Sequence, residues 1–531
     1  KLINSNYNTL IDLKVIFNTR NLVERQISDV DDYSSWNNLY NREIEKRNYI
    51  SFNSTVINIF LNAINSELVD IEEFINRFSN NDMKNIYIHI ITNNLYFKKY
   101  IFSKKVNLIY ECNSFTSAIN KNIYKLKSGF TLFTTTNTEF PSDFINVISS
   151  NINKEVKLLY FDEYTSTLRT NFQFKPSFDK IYLLSKNYIG THFCISNELL
   201  KKNTLSEKSG ICPFYDLLLK TCFILNKSEV MHLPLIIRNN DIILNNKTVS
   251  NKTLQLFSSN DLQLCSRFGS YSLLPPVFKT NNSVSLIITT AGDIQLLNNF
   301  LTSIINRTTK INYDIIIVTH SSNFLNPDKS NYFNNISSSS IRVIKHNISP
   351  FNYSSIVNHA VSYSNSSYIC LLNDDMEILN NNWLCELLRW FSFKDTGVVG
   401  SLLLYPDNKI QHSGIALGLN HVCDHPDKGR SRFSNNHIPH INHPRSVTAV
   451  TGACLLIKKE TFLTLGGMNP QFAEAFNDVD LCLRVRRKGY NIICTPHSTI
   501  RHYESVSVGS PLSDSRRLNF RKEVNLFLIL H

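Results

Sequence analysis

Short apolar runs alternating with amphipathic stretches, twice along the chain, restrict this sequence more than any other feature. In the first half, Ile86–Thr92, Val106–Tyr110, Gly129–Asn137 and Val156–Phe161 read as strands. Between them, Ser114–Leu126 and Asp143–Ser150 carry helical spacing, as do Val56–Ile64 and Ile71–Phe78. A helix is also predicted over Ser34–Arg47, within an otherwise polar lead segment, residues 1–50. Strand and helix in turn imply an α/β fold, a mostly parallel sheet with helices on both faces.

The alternation resumes after residues 239–280, a stretch rich in Asn, Ser and Lys that is expected to link two domains. Val284–Thr290, Tyr313–Val318, Ile341–Ile344, Tyr368–Leu372 and Val398–Leu404 are predicted strands. Ile294–Asn306 and Trp383–Phe391 are predicted helices, and a polar loop is expected between Thr319 and Ser340. A further helix opens after Pro350, capped by Ser354 or Asn352. Val447–Ile457 reads as a strand containing Gly452, where a ligand or another backbone approaches closely. Gly466-Gly467 ends the next helix, and the stretch from Phe476 to Gly489 opens one more, with acids first and bases last.

Chemistry concentrates where the central strand of the second half ends. Tyr368-Ile-Cys-Leu-Leu-Asn373-Asp374-Asp375 runs from a buried strand straight into adjacent carboxylates. Ligands of open α/β sheets sit at the carboxyl ends of strands, and carboxylates there suit a hard divalent cation holding a phosphate. The plainer reading is a strand ending in an Asx turn. Asp478 or Asp480 would serve as general base, although carboxylates also stabilise any helix start. His421, His425, His437, His440 and His443 surround Cys423, but their spacing matches no standard zinc pattern.

Composition narrows the partners. A net charge of +12 favours an anionic ligand such as a nucleotide diphosphate, or an anionic membrane surface. Nucleic acid is not expected, because no basic cluster is interleaved with aromatics. The 11 cysteines include no CxxC pair, which points to a reducing compartment. No apolar run approaches the ~18 residues that would span a bilayer.

The halves can be overlaid. Gly129–Asn137 aligns with Ser367–Asp375, and Glu139 falls opposite Glu377. Thr135, Thr136 and Asn137 then stand where the second half has Asn373, Asp374 and Asp375, so the first copy lacks the charge a cation requires.

Pro350-Phe-Asn-Tyr-Ser, Leu372-Asn-Asp-Asp375, Asn382-Trp-Leu384, Gly397-Val-Val-Gly400, Gln411-His-Ser-Gly414, Val450-Thr-Gly-Ala-Cys454, Asp478-Val-Asp-Leu-Cys-Leu-Arg484 and His502-Tyr-Glu-Ser505 occur in order. Together they resemble family 2 glycosyltransferases of the GT-A fold, the bacterial group that builds O-antigen, rhamnan and other surface polysaccharides. The first half resembles the degenerate partner domain of tandem members, through Phe174-Lys-Pro176, Asn187-Tyr-Ile-Gly190 and His232-Leu-Pro234. There Phe214, in Phe214-Tyr-Asp216, stands where a base carboxylate would. The implied organisation is a lead segment (1–50), a degenerate GT-A-like domain (51–238), a linker (239–280), a transferase domain (281–510) and a truncated tail (511–531).

The resemblance implies roles. Asp375 and His502 would bind Mg²⁺ or Mn²⁺; Thr290, Asn373, Asp374 and Gly452 would contact the donor; Asp478 would be the catalytic base. The implied reaction is metal-dependent and inverting, moving a hexosyl group from a nucleotide-sugar to a glycan or lipid-linked oligosaccharide. The implied location is cytoplasmic, peripheral on the inner membrane face. Two positions depart from the family: Thr319-His320 replaces an aspartate that contacts the nucleobase, and Ile288-Thr289-Thr290 lacks a common proline. The alternative is a pseudo-glycosyltransferase serving as a glycan-binding or scaffold subunit.

Overall fold

The computed structural model describes residues 55–79, 85–99, 105–111, 114–167, 169–208, 211–239, 253–255, 262–267, 270–276, 283–432, 439–503 and 514–531. The helix predicted over Ser34–Arg47 lies outside them. The chain divides into two compact units, one of residues 1–179 and 187–253, the other of residues 180–186 and 254–531.

In the first unit the strands are β1 (Ile57–Asn62), β2 (Ile86–Thr92), β3 (Val106–Tyr110), β4 (Phe130–Thr135), β5 (Thr138–Glu139), β6 (Leu158–Thr167), β7 (Arg169–Gln173), β8 (Phe193–Ser196) and β9 (Val230–Asn239). Its main helices are α1 (Leu68–Ser79), α2 (Phe115–Asn122), α3 (Phe144–Asn151) and α4 (Pro213–Cys222). The strand order is β3-β2-β1-β4-β8-β6-β9-β5, with β7 on β6. One expectation is corrected: Val56–Ile64 forms strand β1 rather than a helix. Ile57 is flanked in parallel register by Ile86 and Phe130. A central parallel strand is covered on both faces, so its apolar residues run together and the period of two is lost.

Between the sheets, β10 (Gln263–Arg267) and β11 (Ser270–Leu274) form a hairpin inside the stretch expected as linker. The second unit continues with β12 (Ser283–Thr290), β13 (Asn312–His320), β14 (Ile341–His346), β15 (Tyr368–Asn373), β16 (Met376–Ile378), β17 (Thr396–Leu404) and β18 (Ile410–His412). It ends with β19 (Ala416–Leu417), β20 (Cys423–Asp424), β21 (Arg445–Val447), β22 (Cys454–Lys458) and β23 (Asn491–His502). Its helices are α5 (Ile294–Arg307), α6 (Pro327–Ile336), α7 (Tyr353–Ser362), α8 (Trp383–Leu388), α9 (Lys459–Thr464), α10 (Asn477–Arg487) and α11 (Asp514–Leu530).

The order β14-β13-β12-β15-β22-β17-β23-β16, with β18 on β17, repeats that of the first unit strand for strand. β14, β13, β12 and β15 are mutually parallel; β22 enters antiparallel, and β17 and β23 are parallel to each other. Alternation assigns the two faces. Leu286, Ile288, Ile315, Ile317, Cys370 and Leu372 pack with α5 and α8. Ile287, Ile316, Val318, Ile369 and Leu371 pack with α7 and α10. This is the expected α/β architecture with helices on both faces.

Two further expectations are corrected. The polar stretch between Thr319 and Ser340 contains α6, opened by Pro327 and capped by Asn326, whose side chain accepts from the Lys329 amide. Gly452 does not lie within a strand. β21 pairs with β23 while β22 pairs with β15 and β17, and Gly452 sits in the connection between them. Of the two caps proposed for α7, Asn352 is the one used. Residues 511–531 include α11, whose Phe527 is buried in the core against the α7–α10 face.

Candidate functional site

Parallel strands deliver their last residues to one edge of a sheet, and here β12, β13 and β15 open a cleft of about 760 Å³. Thr290 ends β12, His320 ends β13, and Asn373-Asp374 leaves β15. Across the cleft stand Thr451, Gly452, Glu474, Asn477 and Asp478, and His502 arrives at the end of β23. Thr290, Asn373, Asp374, Gly452, Asp478 and His502, all singled out in the sequence, therefore line one space. Asp375 lies just beneath, buried against His502.

His502 is oriented by two neighbours. Its Nδ1 donates to Gln411 Oε1 at 2.7 Å, which leaves the Nε2 lone pair facing outward. Asn373 Nδ2 donates to Nε2 at 3.3 Å, and Asp375 Oδ1 lies 3.0 Å from the same nitrogen. Two acceptors at that separation need a proton or a cation between them. Cis ligands of an octahedral Mg²⁺ with bonds of ~2.1 Å are about 3.0 Å apart, so the pair fits a divalent ion. Among the described residues no three His, Cys, Asp or Glu side chains form a metal group. A two-ligand site suits an ion that keeps water and phosphate oxygens in its remaining positions. Of the five histidines near Cys423, His425 Nδ1 lies 2.8 Å from His412 Nδ1 and His440 pairs with Asp427 at 3.1 Å, while His437 lies outside the described residues.

Asp374 supports the same reading. Its Oδ2 is buried without a hydrogen-bond partner among the described residues. Burial, opposed by a hydrogen bond with Thr290 and reinforced by the Asp375 charge, pushes its carboxyl up to about 6. In the unfolded chain it titrates near 3.8, so between those values the folded protein holds a proton the unfolded chain has released. Raising pH through this window therefore costs stability, on the order of 2–3 kcal/mol when complete. Asp374→Asn should gain stability over the parent by that amount as pH rises from 4 to 6 in chelator. Thermal melts of both proteins across this range check it; a constant difference contradicts it.

Asp478 is fixed on the opposite wall. Its Oδ2 accepts from the Gly452 amide at 2.7 Å and its Oδ1 from the Val479 amide at 2.8 Å. The first bond explains why Gly452 is unavailable to a strand ladder. A Cβ at Gly452 would lie 3.5 Å or more from its neighbours, so the glycine keeps the wall low rather than filling a forbidden conformation. Tyr353, which also lines the cleft, has its phenol pushed up by burial and by the Asp478 charge beside it.

Thr319-His320, marked in the sequence as a departure from the family, lies at the cleft edge with neighbours to which the sequence assigned no role. Thr319 is buried and donates to the Thr290 carbonyl at 3.0 Å, which ties β13 to β12. His320 lines the cleft and accepts from the Ser322 amide at 3.2 Å; His346 accepts from the Ile348 amide at 3.2 Å. Burial and the neighbouring His320 and His359 hold His346 below the usual range. Asn323 closes the Ala291 turn, and the left-handed Gly292 leaves it room. His346 and Asn323 carry no distinctive motif: His346 is marked only by ending β14, and Asn323 lies in the turn after β13.

Register gives the matching positions in the first unit. Glu139 pairs with Arg238 and Thr138 with Asn239, as Glu377 pairs with Arg501 and Met376 with His502. The Glu–Arg bridge exists in both units, at 3.1 Å and 2.6 Å. Asn137 and Asn239 thus occupy the places of Asp375 and His502. Likewise the helical pairs Asp216–Lys220 and Asp480–Arg484 correspond, which puts Phe214 at the place of Asp478. The Phe214 ring packs on Phe133 and Phe193, at 5.2 and 6.2 Å.

Fold and cleft define an α/β unit with two facing acidic walls at its strand ends. Residues 281–525 match the family described as Glycosyltransferase like family 2, and the C-terminal part of the chain carries this glycosyltransferase domain. The chain is 30% identical over 398 residues to "Uncharacterized protein y4gI" of Sinorhizobium fredii, covering 70% of this chain and 43% of that protein. It is 33% identical over 162 residues to "O-antigen biosynthesis protein RfbC" of Myxococcus xanthus, covering 30% of this chain and 12% of that protein. It thus spans less than half the length of either relative. Solved structures with some likeness include GalNAc-T7 with UDP, GalNAc and Mn²⁺, at TM-score 0.36 and 14% identity over 50% of this chain and 52% of that one. Another is the mannosyltransferase PcManGT of Pyrobaculum calidifontis with GDP-Man and Mn²⁺, at TM-score 0.34 and 13% identity over 46% and 65%.

Proposed function

We propose that the second unit transfers a hexosyl group from a nucleotide-sugar to a hydroxyl of a growing cell-surface glycan, lipid-linked and presented at the inner membrane face. The observation that carries this reading is the convergence of Asp375 Oδ1 and the His502 Nε2 lone pair at 3.0 Å. Asp375 and His502 would hold Mg²⁺ or Mn²⁺, which would neutralise charge on the leaving diphosphate. Thr290, Asn373 and Asp374 bind the donor around that point, and Gly452 leaves space for it. Asp478 takes the proton from the acceptor hydroxyl as it attacks the anomeric carbon, inverting that centre in one displacement. No enzyme nucleophile is needed.

The first unit is a tandem copy without activity in this account. Neutral Asn137 and Asn239 cannot replace a charged ligand and an imidazole, and Phe214 cannot accept a proton. Among the described residues no helix is long and apolar enough to cross a membrane. Membrane contact in this reading is peripheral, through the excess of basic charge.

Incubation with UDP-, dTDP-, GDP- and CMP-sugars tests the reading without knowledge of the acceptor. Slow, chelator-sensitive release of one nucleotide is expected, with one nucleotide bound per chain. Two bound per chain would return the first unit to function. Binding of a glycan with no nucleotide release from any donor would favour the scaffold alternative.

A further inference from the structure

Helix α11 places Phe520, Glu523, Phe527 and His531 three, four and four residues apart, on one stripe of its surface. That stripe grips the segment that carries Asp478. Glu523 is buried and its carboxylate accepts three consecutive backbone amides: Ala473 at 2.7 Å, Glu474 at 3.1 Å and Ala475 at 2.7 Å. Phe520 and Phe527 pack on the Phe476 ring, with centroids 5.6 and 5.1 Å away. His531 Nε2 lies 2.9 Å from Asp480 Oδ1.

The other side of the same loop is held by α7. Asn358 Nδ2 donates to the Met468 carbonyl, Asn352 Nδ2 to that of Pro470 and Ser354 Oγ to that of Phe472. The Tyr353 amide donates to the Ala473 carbonyl. The loop thus has its carbonyls bound by one helix and its amides by Glu523, and it leads directly into α10. Phe476, the residue before α10, has φ of +59°, a left-handed conformation that a bulky side chain adopts only when its surroundings impose it. Asp478 follows two residues later.

We infer that Glu523 is a positioning residue for Asp478: its three amide bonds set the loop that aims the carboxylate into the cleft. The inference rests on the reading of Asp478 as the base. Neither carboxylate oxygen is spare, so each substitution at Glu523 has a defined consequence. Glu523→Ala leaves three amides without their acceptor; Glu523→Gln keeps one acceptor oxygen and turns the other position into a donor facing amide donors. Misplacement of a catalytic group by about 1 Å lowers turnover on the order of 100-fold.

The test uses the full chain and the nucleotide-sugar that the wild type hydrolyses. Glu523→Ala should lower kcat for nucleotide release 10- to 100-fold, on the order expected for a misaimed group. Nucleotide stoichiometry and KM for the donor should stay within about twofold, since Asp375, just before β16, and His502, at the end of β23, are held by each other and by Gln411 rather than by this loop. Glu523→Gln should fall between. In the Asp478→Asn background, Glu523→Ala should cause no further loss, because both changes act on one group. Wild-type kcat in Glu523→Ala overturns the inference, as does a full additional loss in the double variant. Loss of nucleotide stoichiometry in step with kcat, or failure of both single variants to fold, would make Glu523 a general structural contact and overturn it too. Absence of hydrolysis in the wild type would instead reject the parent reading of the site.

Discussion

Asp478→Asn is expected to lower nucleotide release from the donor on the order of 10²–10⁴-fold, the range associated with removing a general base. Asparagine matches the volume of aspartate and keeps one acceptor oxygen for the Gly452 amide, which Asp478 Oδ2 now binds at 2.7 Å. It gives up the second acceptor, now bound to the Val479 amide at the start of α10, at a cost of about 1 kcal/mol. What it loses outright is the capacity to take a proton. Donor affinity should therefore stay within about twofold while kcat collapses, the signature of an interaction made only in the transition state. Steady-state release paired with calorimetric binding of the nucleotide separates the two. Retained turnover would remove Asp478 as the base and shift attention to Glu474, the other carboxylate on that wall.

The second large effect concerns the metal pair. Asp375→Ala should raise the nucleotide Kd by at least about 100-fold in Mn²⁺ and bring it to the value measured in chelator. Its backbone carbonyl still accepts from the Tyr503 amide at 2.9 Å, so the link between β16 and the end of β23 survives the change. The side chain is buried, and its removal leaves His502 Nε2 with Asn373 as its remaining neighbour among the described residues. His502→Ala should behave alike, whereas Glu377→Ala, one pair further along the same register, should cost stability without altering metal dependence. Nucleotide titrations of the three variants with and without Mn²⁺ check this. Equal metal dependence in Asp375→Ala and wild type would contradict the assignment.

Much of the architecture was legible because parallel strands leave long apolar runs and their helices leave caps. β2, β3 and the start of α5 fall where the sequence puts them. Val56–Ile64 misled because a strand buried on both faces has no alternation to read. Helix α6 was hidden by its polarity: only Phe333 is buried, so its pattern resembles a loop. Gly452 was recognised as a point of close approach, but the partner, a carboxylate 26 residues later, is a matter of tertiary structure. The residues proposed for the site could be picked out together because the ends of parallel strands share one edge of the sheet, and there they line one cleft. The supports of that site were not. Gln411, Tyr353 and Glu523 meet the site residues or their loop only through long-range contacts, and no local pattern marks the Glu523 side chain as the acceptor of three amides some fifty residues earlier.

The proposed function stands on nucleotide binding by the second unit through a divalent cation held by Asp375 and His502. Calorimetric titration of UDP, dTDP, GDP and CMP into the full chain, with Mn²⁺ and with chelator, tests it most directly. One nucleotide is expected to bind per chain, with affinity that depends on Mn²⁺ and is lost in Asp375→Ala. Folded protein that binds none of the four, or binds one equally well in chelator, would contradict it.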